Sequence, residues 1–300
     1  MCAVLKADAY HLGAAEVGAY LNTGADFFAV ATAEEALELS ERVTKPVLVL
    51  NFPEGGLDSL VARKIRVTVH EAWQARVLSQ FPGAIAHVKF DSGMNRLGFR
   101  SAEEVLACLD AGFCVEGVFT HLFSEDSVLR RYQLDRFTEV AALCKQRKAE
   151  ILAHVGGSGI AGISHGFDMT RTGIDLYRGA AVLKSRVISV KDVGTEDYIS
   201  YGETLSGKPR RVGVVSCGYA DGVPRALSGK YCVRVRGKAC PVVGAVCMDM
   251  LLADVSGTDA AIGDEVAVIS DFGEAARAAG TIDYEIMTGV STRVNRVYQY

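Results

Sequence analysis

The chain has 300 residues, of which 49% are hydrophobic and 23% charged, with a net charge of −4 and a pI near 5.9; this size suits one large α/β domain or two domains. A mildly acidic balance, with only short basic spots at 145–148 and 208–211, leaves no electrostatic footprint for nucleic acid. No apolar stretch reaches the length of a membrane span, the N-terminus lacks the layout of a secretory signal, and the eight cysteines form no C-x-x-C pair, which predicts free thiols in a reducing cytoplasm rather than disulfides or a zinc site.

The first 180 residues alternate between apolar runs and helical patterns. CAVLK (2–6) leads into the polar turn DAYHLG and the helical AAEVGAYLNTG. DFFAVA (26–31) precedes TAEEALELSERV, where Thr32 and Glu35 are spaced as a capping box. KPVLVLN (45–51) comes next, then RVTVH (66–70) before EAWQARVLSQF. AHVKFD (86–91) precedes SAEEVLACLDAG, with Ser101 and Glu104 as a second capping box. CVEGVFTHLF (114–123) precedes YQLDRFTEVAALCKQRK; AEILAHV (149–155) and MTRTGIDLYRG (169–179) close the region. Eight strand segments, written as near-continuous apolar runs, predict a TIM-type (β/α)8 barrel over 1–181. An open doubly wound sheet would want a G-x-G-x-x-G first turn, which DAYHLG lacks.

From about residue 182 to 300 the pattern changes. VISVKDV, YISYG, RRVGVVSCG, KYCVRVRG, ACPVVGAVCMDMLLADVS and DEVAVISDFG are short β-like segments separated by Gly, Asp and Pro. GTIDYEIMTGVSTRVNRVY ends the chain with a short helical stretch and a β-like tail. The expectation is a mostly-β C-terminal domain.

Barrel enzymes carry their active residues at the C-terminal ends of strands, and Lys6, Lys89, Asp91, His121, His154, Ser158 and Arg171 all fall there. HVGGSGI (154–160) and RTGI (171–174) offer backbone N–H groups suited to an anion, although the glycines would also serve a tight turn. Lys6 reads either as a surface lysine or as an amine that bonds a carbonyl. A reactive amine and a phosphate cradle in one barrel mouth make pyridoxal phosphate a coherent ligand. No metal-ligand pattern is present, so no metal is expected.

These segments resemble the alanine racemase family of fold-type III pyridoxal-phosphate enzymes. VLKADAY is similar to its lysine motif, and VKFDSGMNRLGF, EGVFTHLFSED, DMTRTGIDLYRG, YISYGETL, GYADGVPR and VGAVCMDM resemble its other landmarks in the same order. The resemblance implies that Lys6 carries the cofactor covalently and acts as one acid/base. Tyr201 would be the opposing base, supplied by a second subunit of a head-to-tail homodimer with shared sites. Tyr10, Ser158, Gly173 and Ile174 would bind the phosphate. Arg171 would face the pyridine nitrogen, held by His154, and His121 would hydrogen-bond Tyr201. Arg96 and the Met248 N–H would hold the substrate carboxylate, with Asp249 and Tyr219 shaping the entrance. Lys89 matches a lysine that the family often carbamylates, orienting Arg96. The implied activity is two-base interconversion of L- and D-alanine, supplying D-alanine for peptidoglycan, with serine or a broader range as the alternative substrate.

The chain departs from the family pattern in places. Met1 stands directly before the lysine strand, where the family usually has a strand and a helix, so a shortened N-terminus is expected. Tyr10-His11-Leu12-Gly13 replaces the usual Tyr-Gly-His-Gly, and Thr292 precedes Arg293-Val294 where a tyrosine is common. Two rival readings share the barrel: a basic-amino-acid decarboxylase, which would need an acidic residue in place of Arg171, and a noncatalytic pyridoxal-phosphate-binding protein, which would lack the β domain.

Overall fold

The computed structural model describes residues 1–157, 159, 166–202, 205–208 and 210–299. They form two compact units, Met1–Leu176 and Tyr177–Tyr300.

In the first unit, eight strands close into a barrel in sequence order: β1 (Cys2–Val4), β2 (Phe27–Val30), β3 (Val47–Val49), β4 (Arg66–Val69), β5 (Ile85–Lys89), β6 (Cys114–His121), β7 (Leu152–Gly156) and β8 (Met169–Thr172). All neighbours are parallel, and β1 pairs with β8 to complete the ring. The strands are short and buried on both faces, which is why their sequences are apolar runs rather than alternations. Both predicted capping boxes form: Thr32 caps the helix Ala33–Ser40 and Ser101 caps Ala102–Leu109, each reciprocated by its glutamate.

Side chains inside the ring divide by strand. Cys2, Val4, Ala29, Leu48 and Met169 form a buried apolar cluster, with Phe27 and Leu50 packed on it. β5, β7 and β8 instead bury His87, Lys89, His154 and Arg171. Polar groups that far from water are expected to be paired, and the pairs they form build the site.

The second unit holds an antiparallel sheet of β9 (Leu183–Val193), β10 (Arg210–Val215), β11 (Cys232–Val235), β12 (Lys238–Pro241), β13 (Leu251–Asp254) and β14 (Glu265–Ile269). Its strand order is β12-β11-β14-β9-β10-β13. The short helical stretch expected near the C-terminus is the helix Asp283–Thr288. Three details differ from the sequence reading. The CMDM stretch is an exposed turn between β12 and β13 rather than a strand. A further helix, Phe272–Ala279, comes directly after β14; Asp271 starts it by accepting from Glu274 N–H. The tail from Val294 to Gln299 forms no strand.

Candidate active site

β1 hands the chain to Lys6 through Leu5, and the chain then enters a helical turn of the opposite hand. Ala7, Asp8, Ala9 and Tyr10 have φ between 52° and 56° and ψ between 40° and 51°, a turn of left-handed helix. Each L-residue there costs roughly 1–2 kcal/mol, so the turn needs outside support. Glu35 gives it: one carboxylate oxygen accepts from Ala7 N–H at 2.6 Å, and the other from Ala31 N–H at 2.7 Å and Thr32 N–H at 3.2 Å. Asp8 adds a second tie, accepting from Ala14 N–H at 2.6 Å. Glu35 therefore caps its own helix and also pins the turn that carries Lys6. Sequence reasoning found only the first role.

That turn places Tyr10, which is buried, against the chain after β8. A Cβ on Gly173 would collide with the Tyr10 hydroxyl oxygen. Tyr10 and Gly173, both expected to bind phosphate, are thus brought together. Ile174 opens a short 3-10 turn, Ile174–Leu176, beside them. Ser158 lies outside the described residues. In the same loop Gly159 N–H donates to Asp175 at 2.9 Å.

Arg171 is buried on β8. It donates to His154 Nδ1 at 2.7 Å and to Thr120 O at 2.8 Å, and its guanidinium lies over the Phe119 ring, 4.5 Å from the centroid. Burial pulls it down to about 10, still a cation at neutral pH. His154, fully buried, is held well below its ordinary range by burial and then by Arg171. The expected Arg171–His154 pair is therefore present as a contact.

Lys6, Lys89, Arg96 and Arg171 make one strongly cationic region. Burial lowers the Lys6 amine, helped by Arg96. Burial, Arg171 and Arg96 bring Lys89 down to about 8. His121, at the end of β6, falls to about 3 through burial and the same four cations. Arg96 itself is exposed on the loop after β5, shaped by Asp91 accepting from Gly93 and Asn95 N–H groups at 2.9 and 3.1 Å. Such a cluster is costly unless anions enter it. No group of three potential metal ligands occurs among the described residues.

In the second unit, Tyr201, Tyr219, Met248 and Asp249 line one open cleft of about 1070 Å³ together with Ser200, Arg225 and Cys247. Backbone bonds lock its walls: Tyr219 N–H donates to Cys247 O at 2.9 Å and Ala220 N–H to Met248 O at 3.0 Å. Asp249 accepts from Arg293 at 2.8 Å, and Arg293 also donates to Asp221 at 2.7 Å. Nothing in the sequence around Arg293, next to Thr292, singles it out. Only its two long-range carboxylate partners mark it.

Comparison with known proteins identifies the family and the fold. The alanine racemase N-terminal domain matches residues 1–181, and the C-terminal domain matches residues 180–298. Alanine racemase 2 of Caldanaerobacter subterraneus subsp. tengcongensis is 34% identical over 340 aligned residues, which cover 99% of this chain and 87% of that protein. The alanine racemase of Aquifex aeolicus is 35% identical over 326, covering 98% and 91%. Among solved structures, the biosynthetic alanine racemase from Pseudomonas aeruginosa superposes with a TM-score of 0.86 at 30% identity, covering 100% of this chain and 92% of that one. Alanine racemase from Bartonella henselae with covalently bound pyridoxal phosphate gives 0.88 at 25%, covering 99% and 92%. The fold is a closed parallel barrel with a lysine after its first strand, followed by an antiparallel β domain, and the matches to both domains place it in a two-domain isomerase class. This chain belongs to the alanine racemase family.

Proposed function

We propose that the protein interconverts L- and D-alanine with pyridoxal phosphate as cofactor, using Lys6 and Tyr201 as two acid/base groups on opposite faces of the substrate. The observation that carries this is the donor set of the barrel mouth. An amine, a hydroxyl packed on a glycine, and a buried guanidinium match the aldehyde, phosphate and ring nitrogen of that cofactor. When bound, the cofactor draws electrons from the substrate Cα and makes its proton acidic.

Tyr10 Oη and the Gly173 and Ile174 N–H groups hold the phosphate, with Ser158 as a further donor. Arg171 would donate to the ring nitrogen. Guanidinium gives up its proton only well above neutral pH, so Arg171 would leave that nitrogen unprotonated and moderate the electron demand of the ring. Lys6 Nζ, made less basic by burial and Arg96, exchanges a proton with one face of Cα. Tyr201 Oη serves the other face. Tyr201 is 71% exposed, among exposed Tyr219, Met248 and Met250, as expected of a surface that a second copy covers. We assign the protein a head-to-tail homodimer in which each Tyr201 completes the other subunit's site beside His121. Arg96 and the N–H of Met248, which lines the same cleft as Tyr201 and so comes from the same copy, hold the substrate carboxylate, and Tyr219 and Asp249 of that cleft flank the entrance. Lys89, brought down to about 8, has a larger neutral fraction than an ordinary lysine, and the neutral amine is the form that carbon dioxide requires. Its carbamate would be an anion beside Arg96.

The test is incubation of L-alanine, and separately L-serine, with protein and added pyridoxal phosphate, followed by chiral chromatography. D-alanine first, with measurable D-serine, is expected. Carbon dioxide without D-amino acid would make the chain a decarboxylase, and neither product would make it a carrier. Growth of a D-alanine auxotroph on the cloned chain tests supply of cell-wall precursor.

A further inference from the structure

Arg171 and His154 are two members of a longer hydrogen-bonded series that runs from the buried interior of the barrel to its partly exposed edge. His154 Nε2 lies 2.7 Å from His87 Nδ1, and His87 Nε2 lies 3.0 Å from a Glu116 carboxylate oxygen. Both Glu116 oxygens accept from Arg66, each at 2.8 Å. The series Arg66–Glu116–His87–His154–Arg171 draws one residue from each of β4 to β8. His87 and His154 are wholly buried. Of the five, only Arg171 has a task in the reaction proposed above.

The protons in this series have one satisfactory arrangement. A guanidinium only donates, so His154 Nδ1 must accept from Arg171. The His154 proton then sits on Nε2 and points to His87 Nδ1, which must accept. The His87 proton sits on its own Nε2 and points to Glu116, a carboxylate that Arg66 keeps ionised. Both rings are neutral, and both are the Nε2–H tautomer. A proton placed anywhere else sets two donors face to face in a dry interior.

The surrounding packing is shaped to these rings. A Cβ at Gly117 would lie 2.5 Å from His87 Nδ1, and one at Gly156 would lie 2.5 Å from an Arg171 nitrogen. Both glycines sit inside strands, where glycine is unfavourable unless something approaches closely. Phe119 stacks on His154, with centroids 4.9 Å apart and planes 17° from parallel, and fixes the plane of that ring.

We propose that His87 and Glu116 are positioning residues for Arg171. Glu116, through His87, selects the His154 tautomer whose Nδ1 lone pair holds the guanidinium in place as a fixed donor. The step from a held guanidinium to turnover rests on the function proposed above. The purely structural alternative is that the pair only fills the barrel.

The experiment uses the full chain with 15N-labelled histidine at neutral pH, with His154 signals assigned by His154→Gln. The expected wild-type signals are a pyridine-like Nδ1 and a protonated Nε2 at His154. His87→Leu removes the acceptor for Nε2–H. It should average the His154 signals and lower kcat on L-alanine about tenfold, the weight of one hydrogen bond to a charged group, with KM little changed. His87→Gln restores a carbonyl acceptor and should recover tautomer and kcat together, which a space-filling role does not require. If His87→Leu fails to fold, Glu116→Leu, which removes the acceptor for His87 Nε2–H, is read instead: a shifted His154 Nε2 signal with lowered kcat is expected. A protonated Nδ1 at wild-type His154 overturns the proposal. So does a folded His87→Leu or Glu116→Leu variant with unchanged signals, or one whose signals change without loss of kcat. A chain with the expected tautomer that racemises nothing refutes the assigned function, and with it the task of Arg171, while the tautomer series stands.

Discussion

At the scale of single residues, Lys6 and Tyr201 differ in what their loss should do. A pinned turn at the end of β1 holds Lys6 at the barrel mouth, and burial keeps its amine less basic than usual. Lys6→Ala should therefore abolish covalent attachment. After incubation with pyridoxal phosphate and borohydride, wild type should gain the reduced cofactor's mass on the Lys6 peptide and the variant should not. Tyr201→Phe should leave attachment intact and lower racemisation in both directions by about 10²–10⁴, the range for a lost general acid–base. A variant that is not slowed would remove Tyr201 from that role.

At the scale of an element, the turn Ala7–Tyr10 is held in a conformation that its residues resist. Glutamate at 35 suits it because two oxygens must accept from three N–H groups on two segments. Glu35→Gln turns one oxygen into a donor that faces a donor. The unsatisfied group should cost about 1–3 kcal/mol, read as a lower urea midpoint, with faster amide exchange at Ala7 and Ala31. Thr32→Ala removes the cap but spares the turn. It should cost about 1 kcal/mol and leave Ala7 exchange unchanged.

At the scale of the whole molecule, charge and symmetry each have a measurable consequence. His87, His121 and His154 are all depressed below their ordinary value, first by burial. In the unfolded chain each titrates near ~6.5, so unfolding takes up protons below that pH. Their contribution is complete above about 6.5 and is lost as pH falls towards their folded values, which for His121 is about 3. Each adds a slope of up to about 1.4 kcal/mol per pH unit. The melting temperature should fall between pH 7 and 5, and His121→Asn should flatten that fall by about one proton. A curve identical to wild type would mean that His121 binds its proton equally in the folded and unfolded chains. Symmetry bears on the proposed shared-site dimer. Lys6→Ala and Tyr201→Phe chains, each inactive, should regain roughly a quarter of wild-type activity when refolded together, since random pairing gives half the dimers one intact site. No recovery would place both groups in the same subunit's site.

Much of this molecule is written locally. Eight strands were legible because a parallel strand covered on both faces is mostly apolar, and two helix starts were legible because a capping box closes within four residues. The lysine, the R-T-G-I segment and the tyrosine of S-Y-G were visible as motifs. The sequence alone therefore determined the barrel, its following β domain and the chemistry to look for. What it left open depends on barrel closure. His87 reaches His154 across 67 residues and Glu116 across 29, contacts set by strand register rather than by any spacing. Glu35 was read as a cap because its helix lies beside it, whereas its bond to Ala7 spans 28 residues. His11 stands at φ 64°, where glycine would be at ease, and only the folded turn explains why a run of left-handed residues persists there. The apolar CMDM stretch looked like a strand because composition does not distinguish a buried strand from a turn whose methionines face outward. Tertiary structure decided these points because a side chain's partner is fixed by which backbones the closed sheet brings side by side, and that information is spread over the whole chain.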